Sequence, residues 1–229
     1  MKKLYPQAAE LIEGPYYGHG GPIRSDLKEG VIGKNLLLEL KVVEVNSGSP
    51  LEGVKVDIWH ADPTGRYSGY KNEPDKQPQD VRFQAPINGD VFLRGAQYTD
   101  TAGNVRFHTV YPGWYATRAP HIHLKLYQAD KCVLTSQLFF PDENSREVFR
   151  TDIHYRRAVE QDTFNVSDPV IARAERDVIG CWVHLEKRES EIVGRSILAI
   201  DAMACSVPVD APVGFRPPVG GILHSKSIR

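Results

Sequence analysis

The chain has 229 residues, of which 41% are hydrophobic and 25% charged, and its formal net charge is −1. That composition is ordinary for a globular protein with a sizeable core, and it excludes the basic field that marks a nucleic-acid binder. No apolar run is long enough to cross a bilayer as a helix, so neither nucleic acid nor membrane is an expected partner.

Met1-Lys2-Lys3 opens like a signal peptide, but Leu4 to Glu10 interrupts any apolar stretch, so an unexported, cytoplasmic chain is expected. Three cysteines, Cys132, Cys181 and Cys205, form no CxxC pair. An odd, sparse set fits a reducing compartment and argues against a cysteine zinc knot.

Residues 1–34 are rich in Gly, Pro and Tyr and read as irregular backbone. A strand pattern begins at Asn35, runs through Leu36 to Val45 and closes at Asn46-Ser-Gly-Ser-Pro50. Val54, Val56 and Ile58 alternate with Lys55, Asp57 and Trp59, which predicts a half-buried strand ending at His60. The long polar stretch from Arg66 to Asp90 carries no periodicity and reads as a functional loop. Strand signals return at Phe92–Gly95. They resume after the turn Asp100-Thr-Ala-Gly103, where Val105, Phe107 and Thr109 alternate.

Next comes Pro112-Gly-Trp-Tyr-Ala-Thr-Arg-Ala-Pro-His-Ile-His123. From His121 to Tyr127 the alternation is strict. Ile122, Leu124 and Leu126 take one face, and His121, His123 and Lys125 take the other. Cys132–Phe140 reads as a strand, 145–178 as a mixed helical region, and Cys181–Glu186 and Arg195–Ala202 as late strands. Residues 206–229, rich in Pro and Gly, form a C-terminal arm without a core of their own. The whole, 1–229, reads as a single mainly β domain. It is a β-sandwich of mixed and antiparallel sheets with short helical insertions and long loops.

Two imidazoles on one strand face are also what a solvated surface displays, and Lys125 beside them favours that reading. As a ligand pair they suit zinc, copper, nickel or iron. The phenol of Tyr115, just upstream in a Pro-Gly turn, tips the choice. A bound cation can strip its proton, and the resulting hard anionic oxygen suits ferric iron. A second phenolate would balance the charge further.

The chain resembles the intradiol ring-cleavage dioxygenases, the non-haem ferric family that includes catechol and protocatechuate dioxygenases. The resemblance rests on Glu13-Gly-Pro-Tyr-Tyr17, Arg24-Ser-Asp26, Val56-Asp-Ile-Trp-His-Ala-Asp62, Gly65-Arg-Tyr-Ser68 and Phe92-Leu-Arg-Gly95. It continues through Thr99-Asp100, Pro112-Gly-Trp-Tyr115, Arg118-Ala-Pro-His-Ile-His123 and Thr135-Ser-Gln137, and spans residues 10 to 202.

The resemblance implies one Fe(III) per chain, held by Tyr67, Tyr115, His121 and His123. Tyr67 would stay bound, while Tyr115 leaves as substrate arrives and takes a proton. Arg118 would lie beside the bound ring as a catalytic and substrate-binding group, with Gln137 and Tyr16 in the pocket. The implied reaction is O2-dependent opening of a catecholic diol to a cis,cis-muconate-type product, in a homo-oligomer. A tailoring dioxygenase acting on a larger catechol is the alternative within enzymes, and a non-catalytic sandwich binding module the alternative outside them. Lys34, Arg66 and Arg94 are candidates to meet a ring carboxylate on charge alone.

Overall fold

A computed structural model describes residues 5–18, 20–76, 84–174 and 178–207. Most of the C-terminal arm and the middle of the 66–90 loop therefore lie outside the described residues.

Alternation and β-branched content produce eight strands: β1 (Asn35–Glu44), β2 (Lys55–His60), β3 (Arg94–Tyr98), β4 (Asn104–Val110), β5 (His121–Gln128), β6 (Lys131–Phe139), β7 (His184–Lys187) and β8 (Ile192–Ile200). One sheet has the order β4-β1-β8-β7, with β1 and β8 parallel and the other pairs antiparallel. The second sheet, β3-β2-β5-β6, is antiparallel throughout. The sheets pack face to face over Leu36, Leu38, Leu40, Val56, Ile58, Phe107, Leu124, Leu126 and Leu198, all essentially inaccessible. This is the expected sandwich.

The helical region is sparser than the sequence suggests. α1 (Asp142–Thr151) starts earlier than expected because Pro141 sits at its N-cap and Asp142 and Glu143 complement its first turn. A 3-10 turn follows at Ile153–Tyr155, and α2 (Pro169–Arg173) is a single short helix. Asp168 caps α2 and Pro169 takes the first helical position, where its missing N–H costs nothing. Residues 156–168 form no helix.

Two expectations of solvent exposure fail. β2 is not half-buried: Asp57 and Trp59 are as inaccessible as Val56 and Ile58. On β5 the face carrying His121 and His123 is dry as well, at 2% and 1% exposure. The cause is the N-terminal segment. It crosses the outer face of the second sheet, held by Leu11 N–H to Thr135 O (2.8 Å) and by Ala96 N–H to Pro22 O (2.8 Å). Tyr17 donates its hydroxyl to Asp57 at 3.0 Å, and Gly21 its backbone N–H at 3.1 Å. Irregular backbone thus acts as a third layer. At the far end, the start of the C-terminal arm touches this layer, where Ser206 bonds Glu10 and Thr135. The three cysteines are free.

His60 points inward, between the sheets. Its Nε2 bonds Thr109 Oγ1 at 2.7 Å and its Nδ1 the Ala61 carbonyl at 2.8 Å. Although it lies within the Val56–Asp62 segment that carries the resemblance, both of its ring nitrogens are engaged inside the core, and it is a structural histidine. Burial pushes its pKa down to about 4. In the unfolded chain it titrates near 6.5. The stability it contributes is therefore complete above about pH 6.5 and drains away as pH falls toward 4. By linkage the loss is about 3 kcal/mol. Urea denaturation of the metal-free protein should show a decline between pH 6.5 and 4 to which the buried His121 and His123 also contribute, and His60→Gln should make it shallower by about that amount.

The β4–β5 connection closes through a turn in which Arg118 N–H donates to Tyr115 O at 3.1 Å. Its third residue, Thr117, has φ of 70°, a left-handed conformation that a β-branched residue adopts only under strain. Its hydroxyl is buried without a partner, while its N–H donates to the Asp162 carboxylate. Relief of about 1–2 kcal/mol of strain exceeds the roughly 0.5–1 kcal/mol entropic cost of a glycine. Thr117→Gly should therefore raise the urea midpoint, by up to about 1 kcal/mol in unfolding free energy. A lowered midpoint would contradict the strain.

Candidate metal centre

The residues that chemistry selected in the sequence converge at one end of β5. His121 Nδ1 donates to the Ala119 carbonyl at 2.6 Å. That bond fixes the tautomer and leaves Nε2 as a lone-pair donor. His123 Nε2 lies 3.0 Å from His121 Nε2, and Tyr115 Oη lies 3.1 Å from the same His121 nitrogen. Trp59, on the neighbouring strand, stacks on the His123 ring at 4.9 Å and 9°. Gly14 must be glycine for the same ring: its φ is 77°, and a Cβ there would stand 2.9 Å from His123 Cε1.

Tyr67 arrives from a different element, the loop after β2. Asn72 locks that loop by accepting from Tyr67 N–H at 3.0 Å and donating to Gly65 O at 2.8 Å. Gly65 takes φ of 87°, and a Cβ there would stand 2.3 Å from the Trp114 carbonyl oxygen, so the position is closed to any side chain. The loop is thereby pinned to the Tyr115 turn. The Tyr67 ring meets Tyr115 edge-on at 5.7 Å and stacks on Tyr16 at 4.6 Å. Its hydroxyl is buried with no hydrogen-bond partner.

The electrostatics suit a cation. Burial holds both imidazoles well below their ordinary pKa, with the Arg118 charge acting in the same direction, so both are neutral lone-pair donors. Burial raises Tyr67 and Tyr115 above the usual phenol range, so only a strong positive charge would deprotonate them here. Among the described residues no three His, Cys, Asp or Glu side chains gather as a metal site. Anionic ligation at this point falls to the phenols. An orphaned buried hydroxyl and converging imidazole nitrogens are what a metal would satisfy.

Arg118, buried beside them, sends Nη1 to within 3.3 Å of His121 Nε2. Its Nη2 donates to Gln137 Oε1. The Gln137 amide then donates to Ile12 O at 2.9 Å, so both ends of that side chain are engaged within the protein. Tyr16 forms the wall behind Tyr67. Trp114 is packed, lying flat beneath the Arg157 guanidinium at 3.7 Å. Of the three cations considered for a ring carboxylate, Arg94 is committed to Ser68 and the Tyr17 carbonyl, and Arg66 lies exposed.

Sequence reasoning missed Asp168, whose carboxylate accepts from Arg118 Nε at 2.9 Å. Asp168-Pro169 is legible as a helix start, but nothing in the sequence ties it to an arginine 50 residues earlier. It also missed Trp59 as the platform under His123. The strand alternation placed that ring on the same face, and the register of β2 against β5 sets the two opposite each other.

Comparison with known proteins points to one family. Residues 12–177 match the family model described as Dioxygenase. The chain is 31% identical over 150 residues to a chlorocatechol 1,2-dioxygenase of Cupriavidus pinatubonensis, covering 56% of this chain and 53% of that protein. It is 28% identical over 145 residues to the protocatechuate 3,4-dioxygenase beta chain of Burkholderia cepacia, covering 56% and 57%. The chain spans about half the length of the curated relatives it matches. An intradiol ring-cleavage dioxygenase from Tetranychus urticae superposes with a TM-score of 0.78 at 28% identity, over 88% of this chain and 97% of that one. The dioxygenase domain of a carbohydrate-binding fusion from Streptomyces sp. SirexAA-E shares the fold, with a TM-score of 0.59 at 23% identity, over 86% and 99%. The chain belongs to the intradiol ring-cleavage dioxygenase family.

Proposed function

We propose that this chain opens a small catecholic diol between its two hydroxylated carbons with O2, giving a cis,cis-muconate-type product. In this reading Tyr67, Tyr115, His121 and His123 hold one Fe(III). The observation that carries it is the convergence of two neutral imidazole nitrogens, 3.0 Å apart, with the Tyr115 hydroxyl 3.1 Å from one of them. Bound there, Fe(III) would supply Lewis acidity and a route for electron density from the diol toward O2.

The chain's own groups then divide the remaining work. Tyr115 Oη, as phenolate, accepts a proton from the incoming diol and withdraws as phenol. Tyr67, fixed by Asn72 and backed by Tyr16, stays in place. Arg118 Nη1 faces the same space and stabilises negative charge as it builds on the ring. The N-terminal layer keeps water from the imidazole face, and that exclusion strengthens each of these interactions.

Purified iron-loaded protein should be red from phenolate-to-iron charge transfer, and removing the metal by reduction and chelation should bleach it. Tyr67→Phe should lose iron and the visible band together. Tyr115→Phe should keep iron, shift the band, and lower kcat by roughly 10²–10⁴-fold, the range for a missing base. Oxygen uptake against catechol, hydroxyquinol, protocatechuate and alkylated catechols reads the activity and its substrate. A colourless protein of full iron content, or unchanged colour and rate in both variants, refutes the ligand set.

A further inference from the structure

Asp168 is fully buried and uses both carboxylate oxygens. Oδ1 accepts from Val170 N–H at 2.8 Å and Ile171 N–H at 3.2 Å, capping α2. Oδ2 accepts from Arg118 Nε at 2.9 Å and from Ala119 N–H at 2.9 Å. One oxygen thus serves the fold, and the other grips the residue pair leading into the histidine strand. The Arg118 guanidinium is consequently held on two sides. Asp168 takes Nε and Gln137 takes Nη2, so Nη1 is the corner left facing His121 Nε2 and Tyr115. The guanidinium is planar, and two anchored nitrogens fix its orientation.

We propose that Asp168 is a positioning residue for ring cleavage. It aims Arg118 Nη1 at the diol site, and its charge neutralises the guanidinium so that a metal cation can be held a few ångströms away. This rests on the intradiol reading above. The alternative is a purely structural Asp whose one task is to cap α2. The two roles use different oxygens and can be separated.

Asp168→Ser keeps an N-cap acceptor for α2 but is too short to reach Arg118. The expected result is unchanged far-UV circular dichroism and an unchanged resting visible band at full iron loading, with weaker retention of iron against a chelator, so rates are compared per bound iron. The expected kcat loss is roughly 10–100-fold, the usual effect of losing a supporting partner, with KM for catechol little changed. The spectrum of the diol-bound protein should shift where that of the resting protein does not. Adding Arg118→Ala to Asp168→Ser should cost no more than Arg118→Ala alone, because the two act as one unit.

An independent readout needs no metal and no variant. In the metal-free wild-type protein, the Arg118 Nε–H signal in 15N NMR should exchange with water far more slowly than those of exposed arginines. Fast exchange there overturns the proposal, even if the Ser variant fails to fold. Wild-type kcat in Asp168→Ser, or additive losses in the double variant, also overturns it. A wild-type protein that is colourless and inert toward every diol tested would instead refute the intradiol reading.

Discussion

Everything at the site depends on one unusual burial. The outer face of a sandwich sheet normally meets water, and polar side chains there need no partners. Here the face bearing His121, His123, Asp57, Trp59 and Gln137 lies under a layer of irregular N-terminal chain. Once dry, each of those polar groups must be satisfied or left at a cost. Most are satisfied: Asp57 by Tyr17 and Gly21, Gln137 by Arg118 and Ile12, His121 Nδ1 by Ala119. The groups left open include the Tyr67 hydroxyl and His123 Nδ1, and His121 and His123 present Nε2 to one another. Trp59 Nε1, on the same face, and the Tyr70 hydroxyl are also open, and these unsatisfied groups gather around the proposed metal centre.

A buried guanidinium beside the proposed cation site would be an electrostatic conflict. Two like charges a few ångströms apart in a low-dielectric interior repel by several kcal/mol. The structure answers with Asp168, placed behind Arg118 on the side away from the imidazoles, so the arginine enters the site as half of a buried ion pair. Such pairs are poor sources of net stability because both partners lose their water. The Arg118–Asp168 pair is better explained by what it fixes in space, since the same carboxylate also holds the Ala119 N–H, two residues before the first histidine.

How much was legible in the sequence follows from the range of the interactions. The strands were legible because alternation is local, and β1, β4, β5 and β6 begin and end close to where their patterns do. That His121 and His123 share a face follows from period two alone. Which face was wet was not legible. Lys125, on the histidine face, suggested solvent, yet it is largely covered and paired with Glu13 from the N-terminal layer. The layer itself consists of Gly, Pro and Tyr with no periodicity, and its contacts reach across more than a hundred residues, from Ile12 to Gln137 for example. The helical region was over-read for the related reason that 156–168 is held by side-chain bonds, such as Thr117 N–H to Asp162, that leave no periodic mark.

The two tyrosines were indistinguishable as residue types, and the fold makes them different. Tyr67 is restrained on every side: its backbone by Asn72, its loop by Gly65 against Trp114, its ring by stacking on Tyr16. Tyr115 stands on a turn of four residues whose third, Thr117, is held in a left-handed conformation by an aspartate from a distant loop. Strain of this kind persists only where surrounding structure imposes it. A ligand that must let go belongs on the strained support, and one that must hold the metal throughout belongs on the rigid one. The asymmetry of roles assigned to the two phenols by family resemblance is therefore matched by an asymmetry in how this chain anchors them. It arises from local backbone chemistry at Gly65 and Thr117, while the two phenol rings lie at equal depth.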